Sequence, residues 1–150
     1  MHEWVTEDPE PGDDLVVAVE DLVRNVRRSS LAGGLSLATA SALGRLGREG
    51  PQRLTDLARD EGVSQPNMTQ LVNRMERDGT ARRVADARDG RGVLVEITAH
   101  GRAVLRRRHA ERAEELGRLI DALSEPERRA VETALPALAR VIRDRGAPGA

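Results

Sequence analysis

Between Ser64 and Thr98 the hydrophobic period changes from that of a helix to that of a strand and back, an order that few folds accommodate in so short a span. Met68, Leu71, Val72 and Met75 recur at i, i+3, i+4 and i+7, the buried stripe of an amphipathic helix. Ser64 stands at the N-cap position and Pro66 in the first turn, where a missing N–H does no harm. Gly79 ends the helix. Arg82 to Asp86 and Val93 to Thr98 then read as strands, with Val93, Val95 and Ile97 alternating with Leu94, Glu96 and Thr98. The polar run from Ala87 to Gly92 is a hairpin tip with Asp89-Gly90 as its turn signal.

The flanking segments keep helical spacing. Asp13 caps a first helix carrying Leu15, Val16, Val19, Leu22, Val23 and Val26, expected to end near Arg28 before Ser29-Ser30. Ser36 caps a second, with Leu37, Ala40, Leu43 and Leu46 on one face and Gly50-Pro51 as its stop. A third runs from Leu54 to Glu61 with Leu54, Leu57 and Ala58 inward and Gly62 as its C′ glycine. Thr98 caps a long helix to about Leu123, roughly 35–40 Å. Ser124-Glu125-Pro126-Glu127 is a capping box for a last helix to about Arg143, in which Pro136 predicts a kink. The fold class is mainly α: about six helices plus a β-hairpin wing, a winged helix-turn-helix.

Composition removes several chemistries. The 150 residues suit one domain, and with no cysteine there is no disulfide, thiol nucleophile or thiolate metal site. His2, His100 and His109 are too scattered for a metal motif, and Glu114 and Glu115 diverge as helix neighbours. No metal, no cofactor and no enzymatic activity are expected. Gly90-Arg91-Gly92 joins two strands rather than opening a helix, so it is a turn and not a nucleotide loop. No apolar run approaches the roughly 18 residues of a membrane span. The acidic start, without an apolar h-region, makes a cytoplasmic protein the expectation. All 24 basic residues are arginine. Residues 1–14 hold six acids and no arginine, leaving 24 arginines against 19 acids in the rest, a net of +5. That basic body is compatible with a polyanion partner. Arg106-Arg107-Arg108 point three ways around a helix and read as solvated surface.

The partner is suggested by one helix face. Opposite the apolar stripe lie Gln65, Asn67, Gln70, Asn73, Arg74 and Arg77, with Thr69 on the flank and no carboxylate before Glu76 and Asp78. Amides and guanidiniums bond base edges bidentately, Asn or Gln to adenine and Arg to guanine. The N-terminus at Ser64, Gln65 and Pro66 offers free N–H groups to a phosphate. Arg88 and Arg91 tip the hairpin, where an arginine can enter a narrow minor groove. Asp89 would repel phosphate, so it is expected to be an intramolecular anchor that holds Arg91. These residues point to double-stranded DNA; a winged-helix protein-interaction module without DNA binding is the alternative.

With those residues in view, the chain resembles the MarR family of bacterial transcriptional regulators. The resemblance is carried by Leu54-Thr55-Asp56-Leu57-Ala58, by Gly62 through Gly79, by Arg83 and the wing Asp86 to Arg91, and by Val93 through Thr98-Ala99-His100-Gly101. It implies a homodimer built on the first and the last two helices, and a palindromic operator. It also implies a recognition helix in the major groove and Arg91 in the minor groove. On that basis residues 1–12 form a flexible acidic tail, 13–35 and 99–145 a helical dimerisation region, and 36–98 the DNA-binding lobe. The function implied is a repressor released by a small aromatic or lipophilic effector, although the chain has few aromatic side chains to line a pocket. Where the family has a large aliphatic pair after the glycine, this chain has Thr80-Ala81, which implies looser packing of the wing on the recognition helix.

Overall fold

A computed structural model of the chain describes residues 11–32 and 35–146. The elements in order are α1 (Pro11–Ala32), α2 (Leu37–Glu49), β1 (Gln52–Arg53), α3 (Leu54–Glu61), α4 (Gln65–Arg77), β2 (Ala81–Ala85), β3 (Val93–Ile97), α5 (Ala99–Asp121) and α6 (Glu125–Gly146). The chain divides into two units, Met1–Arg108 and His109–Ala150, with the boundary inside α5. The acidic segment up to Glu10, including Trp4, lies outside the described residues.

In the first unit the core is contiguous and small. Leu43 and Leu46 of α2, Leu57 of α3, Met68, Val72 and Met75 of α4 and Val95 of β3 are almost entirely excluded from solvent. These are the apolar positions that helical and strand spacing singles out. Each helix of the lobe is also locally specified at its start or its end. The Ser36 hydroxyl accepts the Thr39 N–H at 3.1 Å and caps α2. Gly50 (φ 83°) and Gly62 (φ 67°) adopt the positive φ that ends α2 and α3. Glu61 then fastens the two helices together. It accepts from Arg45 Nε at 2.7 Å and from the Ser41 hydroxyl at 2.6 Å.

The sheet has three antiparallel strands in the order β1-β3-β2. The hairpin is the one expected. The β1 edge is not: Gln52 pairs with Val95 and Arg53 with Leu94, in a two-residue polar strand without any period to announce it. Two details of the hairpin also differ from expectation. Val93 is 53% exposed, because at the distal end of the ladder it lies beyond the core that covers Val95 and Ile97. Gly90 has no positive φ, so the tip is not a two-residue primed turn. Instead the Asp86 N–H donates to Gly92 O and the Gly92 N–H to Asp89 O, both at 2.9 Å, closing a longer loop.

The junction after Gly79 is tight rather than loose. Thr80 is buried, and its N–H and hydroxyl both donate to Met75 O, at 2.8 and 3.1 Å. The Thr98 N–H donates to Thr80 O at 3.0 Å, and the Thr98 hydroxyl to Gly79 O at 2.6 Å. That hydroxyl also accepts the Gly101 N–H at 3.0 Å, so one threonine caps α5 and holds the end of the hairpin. The small Thr80-Ala81 pair lets the start of α5 close directly on the backbone. A Cβ built on Gly101 would sit 2.0 Å from Thr80 O.

The first helix starts at Pro11 and runs past Arg28 to Ala32. Ser29 does not break it, because its hydroxyl donates back to Val26 O at 2.9 Å. Along it Leu15, Val16, Val19 and Leu22 are each at least half exposed. Among Arg106–Arg108 the solvated reading fails for Arg108, which is 7% exposed. Three successive helix positions point about 100° apart, so one of them faces inward.

In the second unit, the Ser124 N–H and hydroxyl both donate to Glu127 Oε2 at 2.8 Å, the expected capping box. Helix α6 continues unbroken through Pro136 to Gly146 and buries no residue. Leu135, Leu138, Val141 and Ile142 along it are exposed.

Candidate nucleic-acid interface

Recognition chemistry requires a helix whose polar side is presented outward, and packing decides that here. Because Met68, Val72 and Met75 are buried against the lobe, the opposite side of α4 faces solvent. Gln65, Pro66, Asn67, Gln70, Asn73, Arg74 and Arg77 are all exposed, and Thr69 on the flank is half-buried. The N-terminus is capped by Ser64, whose hydroxyl accepts the Asn67 N–H at 3.3 Å. The Thr69 hydroxyl donates to Gln65 O at 3.0 Å, so its hydrogen is used within the helix and the oxygen is left as an acceptor. Among the described residues, the guanidiniums of Arg74, Arg77, Arg88 and Arg91 have no carboxylate partner. They are the cations on this face that remain available to an anion.

The wing is held by a set of bonds that sequence spacing alone does not reveal. Asp89 is an anchor, as expected, but for the backbone: its Oδ1 accepts the Arg91 N–H at 3.3 Å. Asp86 makes the same two-residue bond one step earlier, accepting the Arg88 N–H at 3.0 Å. Arg53 of β1 reaches across to both carboxylates, donating from Nη2 to Asp86 Oδ2 at 3.2 Å and to Asp89 Oδ2 at 3.5 Å. The Asp86 carboxyl is held below the ordinary carboxylate range, first by the Arg88 N–H and then by the Arg53 guanidinium, against an opposing effect of burial. Arg53 thus pairs with both acids at the tip and offsets one of their two negative charges, and with Arg88 and Arg91 the positive charges there outnumber the negative. On the strands, Arg82 pairs with Glu96 directly across the ladder. Arg83 crosses to α4, where it meets Glu76 and donates to Asn73 Oδ1 at 3.1 Å.

Sequence reasoning assigned no role at the site to Arg53, Asp86 or Arg83. The spacing of Asp86 and Arg88, which repeats that of Asp89 and Arg91, was the available signal for the first turn of the tip. Nothing local announces Arg53, because its partners lie 33 and 36 residues away. Among the described residues no group of three histidines, cysteines or carboxylates could hold a metal ion, and no helix is long and apolar enough to cross a membrane.

Comparison with known proteins agrees with this geometry. Residues 35–93 match the family model described as MarR family. An uncharacterized HTH-type transcriptional regulator of Mycobacterium bovis, Mb0904, is 32% identical over 115 residues, covering 77% of this chain and 80% of that protein. The transcriptional activatory protein BadR of Rhodopseudomonas palustris is 42% identical over 80 residues, 51% of this chain and 46% of BadR. Among solved structures, a mutant of S. aureus MepR bound to an oligodeoxyribonucleotide superposes with a TM-score of 0.63 at 17% identity, covering 90% of this chain and 99% of that one. An exposed amide- and arginine-bearing helix beside an arginine-tipped hairpin, set in this order of elements and matched over most of a named regulator, places the chain in the MarR family of transcriptional regulators.

Proposed function

We propose that this chain is a homodimeric, sequence-specific regulator that binds a two-fold symmetric operator. The observation that carries the reading is the outward face of α4, free of carboxylate from Gln65 to Arg74, beside a wing whose two acids are held by Arg53 and outnumbered by arginines. Gln65, Asn67, Gln70 and Arg74 have the donors and acceptors that read base edges in a major groove. Ser64, Pro66 and Thr69 set the N-terminal approach to the backbone, Arg77 and Arg88 meet phosphates, and Arg91, oriented by Asp89, enters the minor groove.

The dimer is supported by apolar surface that a monomer leaves in water. In the first unit this is the Leu15, Val16, Val19, Leu22 and Val23 stripe of α1. In the second it is Leu135, Leu138, Val141 and Ile142 of α6, a 22-residue helix with no fully buried residue. Stripes of this kind at helical spacing are the seams of helix packing. A second copy supplies the cover, through residues 13–35 and 99–145, and doubles the reading face.

Binding over a promoter blocks it, and on that ground we assign repression. BadR carries an activator's name, so a reporter with the operator placed first over and then upstream of a promoter distinguishes the two modes. An effector site is supported by a cavity of about 220 Å³ lined by Gly44, Gly47, Arg48, Ile97, Arg102, Leu105 and Arg106. An aliphatic floor rimmed by three arginines suits a small lipophilic anion, and its binding shifts the population able to fit DNA.

The testing experiment is hydroxyl-radical footprinting on duplexes selected from a randomised library. Two protected half-sites centred about 34–36 Å apart are expected, one helical turn. Association with a protein partner that is insensitive to salt, with no duplex selected, would favour the protein-interaction module instead.

A further inference from the structure

Asn73 projects from the middle of the reading face, and an asparagine there is expected to grip adenine with both halves of its amide. The hydrogen bonds around it allow something narrower. Arg83 of β2 donates from Nη2 to Asn73 Oδ1 at 3.1 Å, and its Nη1 pairs with Glu76 on the same helix. A guanidinium carries only donors. The amide atom facing it must therefore be the oxygen, and the orientation of Asn73 follows from chemistry alone. The side-chain NH₂ is left as the outward group of an exposed residue.

We infer that Arg83 is a specificity-determining positioning residue, which turns the Asn73 NH₂ toward the base and makes Asn73 read mainly as a donor. The Asn73 oxygen keeps a second lone pair, but an amide whose oxygen is turned to Arg83 does not present both of its halves to adenine. It donates to an acceptor edge, the O6 and N7 of guanine or the O4 of thymine. The same arginine neutralises Glu76, the carboxylate that otherwise ends the acid-free face. It also ties strand β2 to α4, so the wing and the reading helix move as one piece. Two bonds from one planar fork to two partners hold this arrangement.

The inference rests on the DNA-binding function proposed above, and the test separates the two. The full-length protein is first used to select duplexes from a randomised library. Asn73→Ala then locates the base pair whose discrimination Asn73 governs. There the wild-type protein is expected to prefer guanine or thymine over adenine by about tenfold. When the preferred base is guanine, 7-deazaguanine should reduce binding; when it is thymine, removal of the O4 acceptor should do so. Arg83→Met frees the amide to turn, and adenine should become as acceptable as the original base, a shift of about tenfold in the ratio. Arg83→Lys keeps the charge beside Glu76 but not the two-pronged grip, and is expected to shift the ratio the same way. In the Asn73→Ala background, Arg83→Met should leave the ratio unchanged.

An adenine at this pair that needs both N7 and N6 would overturn the inference without any variant having to fold. Base preference unchanged in both Arg83 variants would overturn it as well, as would an Asn73→Ala loss spread equally over all sequences. Each of these leaves DNA binding itself intact, whereas failure to select any duplex strikes the proposed function together with this inference.

Discussion

Gly101 and Thr80 determine how closely the start of α5 approaches the backbone just after α4. The backbone there leaves no space for a methyl group, since a Cβ on Gly101 would stand 2.0 Å from a carbonyl oxygen. Gly101→Ala is therefore expected to destabilise the protein by about 3 kcal/mol, the upper part of the usual overpacking range, as read by denaturant unfolding. Thr80→Val should also be costly, because it removes a hydroxyl that bonds Met75 O. Single residues on the proposed reading face should behave differently, with stability unchanged and binding altered. Arg91→Ala is expected to weaken binding to every duplex and to lower the salt slope by about one ion, while Gln70→Ala should relax base preference at one position. Fluorescence anisotropy on a set of operator variants separates the two. At this scale much was legible. Ser36, Ser64 and Thr98 are caps because their side chains act within three residues of themselves in sequence. Arg53 and Arg83 were not legible, because their partners come from strands and helices that only the tertiary fold brings near.

At the scale of elements, the tip of the wing is held by charge, whereas its base is held by the core through Ala81, Val95 and Ile97. Val93 at its distal end is exposed, and the tip is stapled by Arg53 through Asp86 and Asp89. Asp86 is held below the ordinary carboxylate range in the folded protein, so its contribution is complete above that range. It is lost as pH falls through the depressed value. Acidification below about pH 4 should loosen the tip before the lobe unfolds. Faster hydrogen exchange at the Arg88 amide, with Leu43 and Met68 signals unchanged, is the expected result. The helix ends and the hairpin could be read from period and caps, but strand β1 could not. Gln52 and Arg53 are polar and only two residues long, and they become a strand because β3 presents an unpaired edge to them. The tip was misjudged for a related reason. Asp-Gly marks a turn, yet the bonds from Asp86 and Asp89 select a longer loop in which Gly90 needs no positive φ.

At the scale of the molecule, α1 and α6 each carry an apolar face that their own unit leaves exposed. Their amphipathic spacing is plain in the sequence. What covers those faces is not; the second copy proposed above adds no residue to the pattern. Leu138→Asp on α6 and Leu22→Asp on α1 are each expected to convert a dimer to a monomer in sedimentation. The lobe should stay folded, and affinity should fall by about tenfold or more through loss of the second half-site. The most direct single measurement is the dependence of duplex affinity on salt, made with the wild-type protein on its selected operator and on a scrambled duplex of equal length. Affinity for the operator should fall linearly in log salt with a slope of several ions. It should stay tighter than for the scrambled duplex throughout. No binding to either duplex at low salt, or equal binding to both, would contradict the assignment of α4 and the wing as a sequence-reading surface.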